Sequence, residues 1–172
     1  MGTKVIRFDA LDLGSVERAI REVEQYKADL VKAIEELVRK LTEEGREIAV
    51  LNVLRLMAFD TGELADNMRG FFSPSLQAGF IYTDVPHAMF VEFGTGIKGK
   101  NGLQHPWKNE YGWEHDVHHH GDKGWIYYND REGRCFWTKG QASRPFMLNT
   151  FQQIIQIAQA RLNAINIGGG ST

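Results

Sequence analysis

Apolar positions over residues 15–44 recur at seven-residue spacing. Val16, Val23, Leu30 and Leu37 are interleaved with Ala19 or Ile20, Tyr26, Ala33 or Ile34, and Leu41. That pattern is one apolar stripe along a long helix. Glu17 with Arg21, Glu35 with Arg39 and Glu36 with Lys40 stand four apart in acid-first order, each pair adding about 0.2–0.5 kcal/mol to helicity. Ser15 reads as the N-cap and Gly45 as the stop. At ~1.5 Å per residue such a helix runs about 45 Å, longer than a compact domain of this size covers. The stripe therefore has two readings: packing over part of its length on the chain's own sheet, and a coiled-coil or ring contact with another copy, since sustained heptads form seams.

The next stretch, "REIAVLNVLRLMAF", is apolar on more than one side and hence buried, as a helix or as a helix turning into a strand. "DTGELADNM" supplies Asp60, Thr61 and Gly62 as turn residues, and Thr61 can cap a short helix over Glu63 to Met68. "LQAGFIYTD" has strand composition at Phe80, Ile81 and Tyr82. In "VPHAMFVEF", Pro86 can open a helix with Ala88, Val91 and Phe90 inward. Residues 94–124 are rich in Gly, Asn, His and Trp without a period, a loop of the length that usually carries function. "GWIYYND" and "RCFWTKG" form an aromatic hairpin around Asp130, Glu132 and Gly133. Pro145 opens a last helix whose apolar face is Phe146, Met147, Ile154, Ile155, Ala158 and Leu162. The expected fold is α+β: a long N-terminal helix, a small antiparallel sheet with an aromatic hairpin, and a C-terminal helix packed on it. Residues 1–14 are a leading segment, 15–165 a single domain, and 166–172, ending in "GGGST", a flexible tail.

Composition narrows the function classes. At 172 residues with 42% hydrophobic and 24% charged content, the chain can bury one good core. No apolar run approaches the ~20 residues of a bilayer-spanning helix, and "MGTKVIRFDA" lacks the grammar of a signal peptide, so synthesis in a cytoplasm is expected and no membrane partner. A single cysteine, Cys135, makes no internal disulfide, and a packed thiol in a strand is its expected state. The net charge of -2 gives no global pull toward nucleic acid.

Four places in the chain could carry chemistry. "GTGIKGKNG" does not match P-loop spacing and no dinucleotide fingerprint is present, so no cofactor is expected. "WEHDVHHHGD" gathers Glu114, His115, Asp116, His118, His119, His120 and Asp122, all competent ligands, but without the spacing of a helical zinc signature. A metal-dependent nuclease or hydrolase using His105, His115, His118 and Glu114 is the sharpest enzymatic reading, set against a solvated loop tip. Glu92 has two readings also. It can brace the adjoining glycine turn by accepting its amide hydrogens, or act as a catalytic acid, for which a second carboxylate or metal is wanting. Ser73, Ser75 and Ser143 show no partnered pattern, and no enzyme emerges from these residues.

Several short motifs in order, "DTGEL" (60–64), "VEFGTG" (91–96), "HPW" (105–107), "GW" (124–125), "WTKG" (137–140) and "ASRPFM" (142–147), resemble one family. They are similar to the head–tail joining, or tail-completion, neck proteins of long-tailed bacteriophages and prophages, labelled by the tenth gene product of a lambdoid phage. The match covers most of residues 45–160; the histidine loop departs from it. The resemblance implies a small α+β virion protein without cofactors, assembled in the bacterial cytoplasm. It would self-associate into a ring, of six copies by analogy with the tail tube, in the neck between the capsid's portal and the tail tube, with connector and tail terminator among its partners. It implies structural or interface roles for Thr61, Gly62, Leu64, Glu92, Gly94, Thr95, Gly96, Trp125, Trp137, Pro145 and Phe146. Gly94 and Gly96 allow positive φ for a sharp reversal beside a neighbour's backbone, and Thr95 can cap or bridge it. Ring interfaces are head-to-tail and favour aromatics, of which Trp107, Tyr111, Trp113, Trp125, Tyr127, Tyr128 and Trp137 are candidates, about half of them core if strands alternate. Lys98, Lys100 and Lys108 are candidates for non-specific contact with exiting DNA.

Overall fold

A computed structural model describes residues 5–58 and 62–167. Five helices and four strands follow in order: α1 (Leu13–Arg55), α2 (Glu63–Asp66), β1 (Arg69–Ser73), β2 (Ala78–Tyr82), α3 (Ala88–Phe93), α4 (Gly96–Lys100), β3 (Trp125–Asn129), β4 (Arg134–Thr138) and α5 (Phe146–Ile167). The fold is α+β as expected: a long N-terminal helix, two separate two-stranded sheets (β1 with β2, β3 with β4), and a C-terminal helix packed against the N-terminal one. Thr61, Asp60 and the tail beyond 167 lie outside the described residues. Among those described, no helix is long and apolar enough to cross a membrane.

Helix α1 departs from expectation at both ends. It starts at Leu13, and the cap is Asp12, whose Oδ1 accepts the Gly14 amide at 3.0 Å; Ser15 lies in the first turn and its Oγ accepts from the Asp9 amide. Gly45 does not stop the helix, which runs on to Arg55. The glycine is there for clearance. A Cβ at Gly45 would meet the side-chain ends of Ile81 on β2 and Ile154 on α5, the latter at 2.6 Å. Helix propensity, about 1 kcal/mol against glycine, is outweighed by this close approach.

The chain divides into two compact units. The first comprises the described parts of Met1–Arg46, Gly70–Ile81 and Gln152–Thr172. In it the β1–β2 hairpin lies close on α1, with Gly79 against Thr42 and Val38 and Gly70 within 3.2 Å (to a built Cβ) of the Thr42 carbonyl. Arg39 stacks its guanidinium 4.1 Å from the Phe72 ring centre, and Arg161 of α5 reaches both carboxylate oxygens of Glu44 at 2.6 and 2.7 Å. Strand β1 was not expected from the sequence. Residues 21–34 of α1 are exposed on every side, and the heptad stripe stays open there at Val23, Leu30 and Ile34, as it does at Ile20 just before. The predicted face of α5 is only partly used: Ile154 and Ala158 are half-buried, whereas Ile155 and Leu162 are exposed.

The second unit comprises Glu47–Arg69 and Tyr82–Phe151, of which residues 59–61 are not described. Its core joins the last turns of α1 (Ala49, Val53) with Leu64 of α2, Val91 and Phe93 of α3, and Phe146 and Leu148 of α5. Each fully buried side chain of this kind contributes about 1.5–3 kcal/mol by leaving water. Asn52 donates to Thr150 Oγ1 at 3.0 Å inside this core, so both polar groups are satisfied. Helix α2 is preceded by Gly62 in the left-handed region (φ 87°). Residues 94–124, expected as plain loop, contain α4 and a single 3-10 turn at Gly121–Lys123.

Candidate functional site

The motifs of the second unit meet around Glu92. This side chain is 5% exposed, and both its oxygens are occupied. Oε2 accepts the Met147 amide at 2.9 Å; Oε1 accepts the Leu148 amide at 3.0 Å and hydrogen-bonds His105 Nε2 at 2.8 Å. Met147 and Leu148 are the second and third residues of α5, so their amides have no partner within the helix. Pro145, which precedes the helix, has no side-chain oxygen to cap it. Glu92 supplies that cap from α3, and its charge faces the positive end of the α5 dipole, worth up to ~2 kcal/mol when partly buried.

The expectation that Glu92 braces the glycine turn is thus corrected: it braces α5. The glycine turn is held by other groups. Ser143 Oγ donates to the Glu92 carbonyl and the Arg144 amide to the Val91 carbonyl at 2.8 Å, satisfying the open C-terminal end of α3. Each helix end is therefore completed by the segment that leads into the other.

His105 has its tautomer fixed by this geometry. The Trp107 amide donates to Nδ1 at 3.2 Å, so Nδ1 is the acceptor and the proton sits on Nε2, donated to Glu92. The ring is 5% exposed, edge-on to Phe93 at 4.5 Å and to Trp107 at 5.5 Å. Phe93 in turn stacks on Trp113 at 5.4 Å. "HPW" thereby anchors an aromatic cluster on α3.

Gly94 and Gly96 have φ of 77° and 58°, and they lie close against the chain's own residues 139–143. A Cβ at Gly94 would stand 2.6 Å from the Ser143 nitrogen; one at Gly96, 2.6 Å from the Lys139 carbonyl. Thr95 bridges: its amide donates to the Gln141 carbonyl at 2.9 Å and its carbonyl accepts the Gln141 amide at 3.1 Å. Trp113 Nε1 and His115 Nδ1 both donate to the Gly94 carbonyl, at 3.0 and 3.2 Å. "VEFGTG", "WTKG" and "ASRPFM", far apart in the chain, make one interlocked framework.

Beside this framework lies a cleft of about 490 Å³ with Phe90, Trp113, Val117 and Trp125 as apolar walls and Glu114 and Asp116 among its polar lining. Trp125 is half-buried and stacks on His120 at 4.5 Å. Phe90, expected inward, is exposed at the cleft and tilts against Trp113. Asp116 ties the histidine loop: its carboxylate accepts the His120 and Gly121 amides at 3.0 and 2.8 Å and the His120 Nδ1 proton at 2.8 Å. Those two amides, His120 first, hold its pKa down to about 2. The His115 imidazole is pushed below its ordinary value, chiefly by burial, against the opposing bond to the Gly94 carbonyl.

The enzymatic candidates are only partly gathered. Glu114, His115 and His118 line the cleft, while His105 is buried against Glu92. Among the described residues, no group of three or more His, Cys, Asp or Glu side chains is placed to hold a metal ion. Cys135, expected as a packed thiol, is exposed. Leu64, Pro145 and Phe146 are buried, and Trp137 is 61% exposed. The Glu92–His105 pair and the Asp116 clamp were missed by sequence reasoning. A lone acid in the apolar "MFVEF" was the available signal for the first; the second had none beyond an acid before histidines. Comparison of the chain with family models, with characterised proteins and with solved structures gives no match.

Proposed function

We propose that this protein is a structural subunit of a long-tailed phage or prophage, part of the neck that joins the capsid connector to the tail tube, and acts by shape and assembly. The observation that carries the reading is the β3–β4 hairpin. Register pairs Ile126 with Trp137 and Tyr128 with Cys135, so these four share a face, and Ile126, Tyr128 and Trp137 are 69%, 58% and 61% exposed. Large apolar and aromatic side chains clustered on an exposed face suit a protein interface.

The motif order supports the family, and the interlocked framework explains why those motifs would occur together in a rigid subunit. Glu92, with three hydrogen bonds from α5 and His105, serves the fold. In this reading copies form a ring, six by analogy with the tail tube, whose partners are other neck and tail proteins such as connector and tail terminator. Lys98 and Lys100, exposed on α4, are the proposed contacts to exiting DNA, with half-buried Lys108 beside them.

Mass photometry of the purified protein, alone and with tail tube or connector, tests the proposal. Ring-sized species or a complex with either component support it. Stoichiometric zinc or manganese in untagged, chelator-washed protein, together with nuclease or hydrolase activity, overturns it in favour of the histidine-loop enzyme.

A further inference from the structure

The second unit carries a projecting apolar face and a recess of a different shape. The face is Ile126, Tyr128, Cys135 and Trp137 on the β3–β4 hairpin. On its reverse side Tyr127, itself 44% exposed, stacks on Phe136 at 5.9 Å, and the Arg134 guanidinium stands 4.6 Å from the Phe136 ring centre. A two-stranded hairpin is marginal in water on its own, so a covering partner for the open face adds stability. The recess is the cleft walled by Phe90, Trp113 and Trp125, within the size range that encloses an aromatic group or two.

Charge separates the possible partners. Lys139 holds its ammonium 5.6 Å from the Trp137 ring centre, so the hairpin face carries a cation at its edge. Two hairpins packed face to face would bring two such cations to one contact, with no acid on the face to offset them. The cleft instead is lined by Glu114 and Asp116 together with His115, His118 and His120, and no lysine or arginine is among the described residues of its lining. Oppositely charged margins around apolar centres favour the pairing of face with cleft.

We infer that the Ile126–Tyr128–Trp137 face of one copy seats in the Phe90–Trp113–Trp125 cleft of a second copy. The inference rests on the assembly reading above, since it requires copies of this chain to meet, and it names the surfaces by which they do. A knob and a hole on different parts of one surface make a heterologous contact, which propagates from copy to copy and closes into a ring when the rotation permits. Trp137 is the anchor, as a large exposed aromatic on the face.

The single native thiol supplies a clean test, because Cys135 lies on the proposed face. Wild-type protein is mixed with a Val117→Cys/Cys135→Ser variant, whose only thiol is at an exposed position in the cleft, and treated with a short bis-maleimide. Only a contact between two copies can then link the two proteins. The expected result is a covalent heterodimer in the mixture, reduced at least tenfold when Trp137→Ala is placed in the hairpin-donating partner. Thermal melts of that variant verify that it is folded. Wild-type homodimers linked through Cys135 alone would mean a face-to-face contact and overturn the inference. Absence of heterodimer at concentrations where mass photometry shows rings would overturn it too, leaving the assembly reading in place. Monomers under all conditions, with tail tube and connector included, would remove both.

Discussion

Glu92 and His105 meet at 2.8 Å in the core of the second unit, thirteen residues apart in the chain, each no more than 5% exposed. A buried carboxylate is tolerated only when its charge is compensated. Here the compensation comes from one imidazole proton and two amides at the start of α5, so an acid in an apolar helix becomes the cap of another helix.

Glu92→Ala leaves the His105 Nε2 proton and two α5 amides without their acceptor. Each buried donor left unsatisfied costs about 1–3 kcal/mol, so with three of them we expect a loss of about 3–5 kcal/mol. Glu92→Gln keeps shape and one acceptor but no charge, and should lose about 1–2 kcal/mol. Urea denaturation of both variants checks the order. If either left stability intact while abolishing an activity, the capping role would fail.

Gly94→Ala should be among the most damaging substitutions in the chain. With φ of 77° and ψ of 167° Gly94 occupies a region open essentially to glycine, at a cost of about 1–3 kcal/mol for another residue, and the added Cβ would also press on the Ser143 nitrogen at 2.6 Å and the Gln141 carbonyl at 2.8 Å. Gly112→Ala has a comparable φ of 58° but open space around the new atom. It should lose only the conformational part, about 1 kcal/mol. Melting curves of the two variants should place Gly94→Ala well below Gly112→Ala.

Gly45→Ala tests whether clearance outweighs helix propensity in α1. Alone it should destabilise by about 1–3 kcal/mol, the usual cost of overpacking. Ile81→Val and Ile154→Val each delete the Cδ1 atom that the new methyl would meet. Combined with Gly45→Ala they should recover part of the loss, seen as a coupling energy of about 0.5–3 kcal/mol in a double-mutant cycle. Strict additivity would rule the contact out.

The histidine loop should respond to acid at Asp116. Its folded pKa of about 2 lies below the ordinary 3.8, so its contribution is present above that ordinary value and lost as pH falls through about 2. Protection of the His120 and Gly121 amides from hydrogen exchange, taken relative to the intrinsic rate at each pH, should fall across that window, and Asp116→Asn should lower it at every pH. His115, whose pKa is lowered, favours the neutral ring in the fold, so its contribution is present above pH 6.5 and declines below it. Imidazole chemical shifts followed from about pH 8 to about pH 4, spanning the ordinary histidine range, report this directly.

Much of the fold was legible because it depends on local periodicity. The α1 heptads, the hairpin around Gly133 and the helix start at Pro145 all rest on spacings within a few residues. Gly45 was misread for the opposite reason: whether a glycine ends a helix or admits a neighbour depends on Ile81 and Ile154, distant in sequence. Cys135 looks like an interior strand residue by composition, but a two-stranded hairpin leaves one of its faces open. At the candidate site, the glycines at 94 and 96 announced a reversal without naming the stretch of chain that lies inside it.

By itself, then, the order of residues determined the long helices, the β3–β4 hairpin and the glycine reversal at 94–96, since propensity, period and allowed φ are properties of short stretches. Only the tertiary structure decided the partner of each polar group: Glu92 with α5 and His105, Thr95 with Gln141, Asp116 with its own loop. Burial forces every such group to find an acceptor or donor, and the nearest one in space is set by packing between segments as far apart as Glu92 and Leu148.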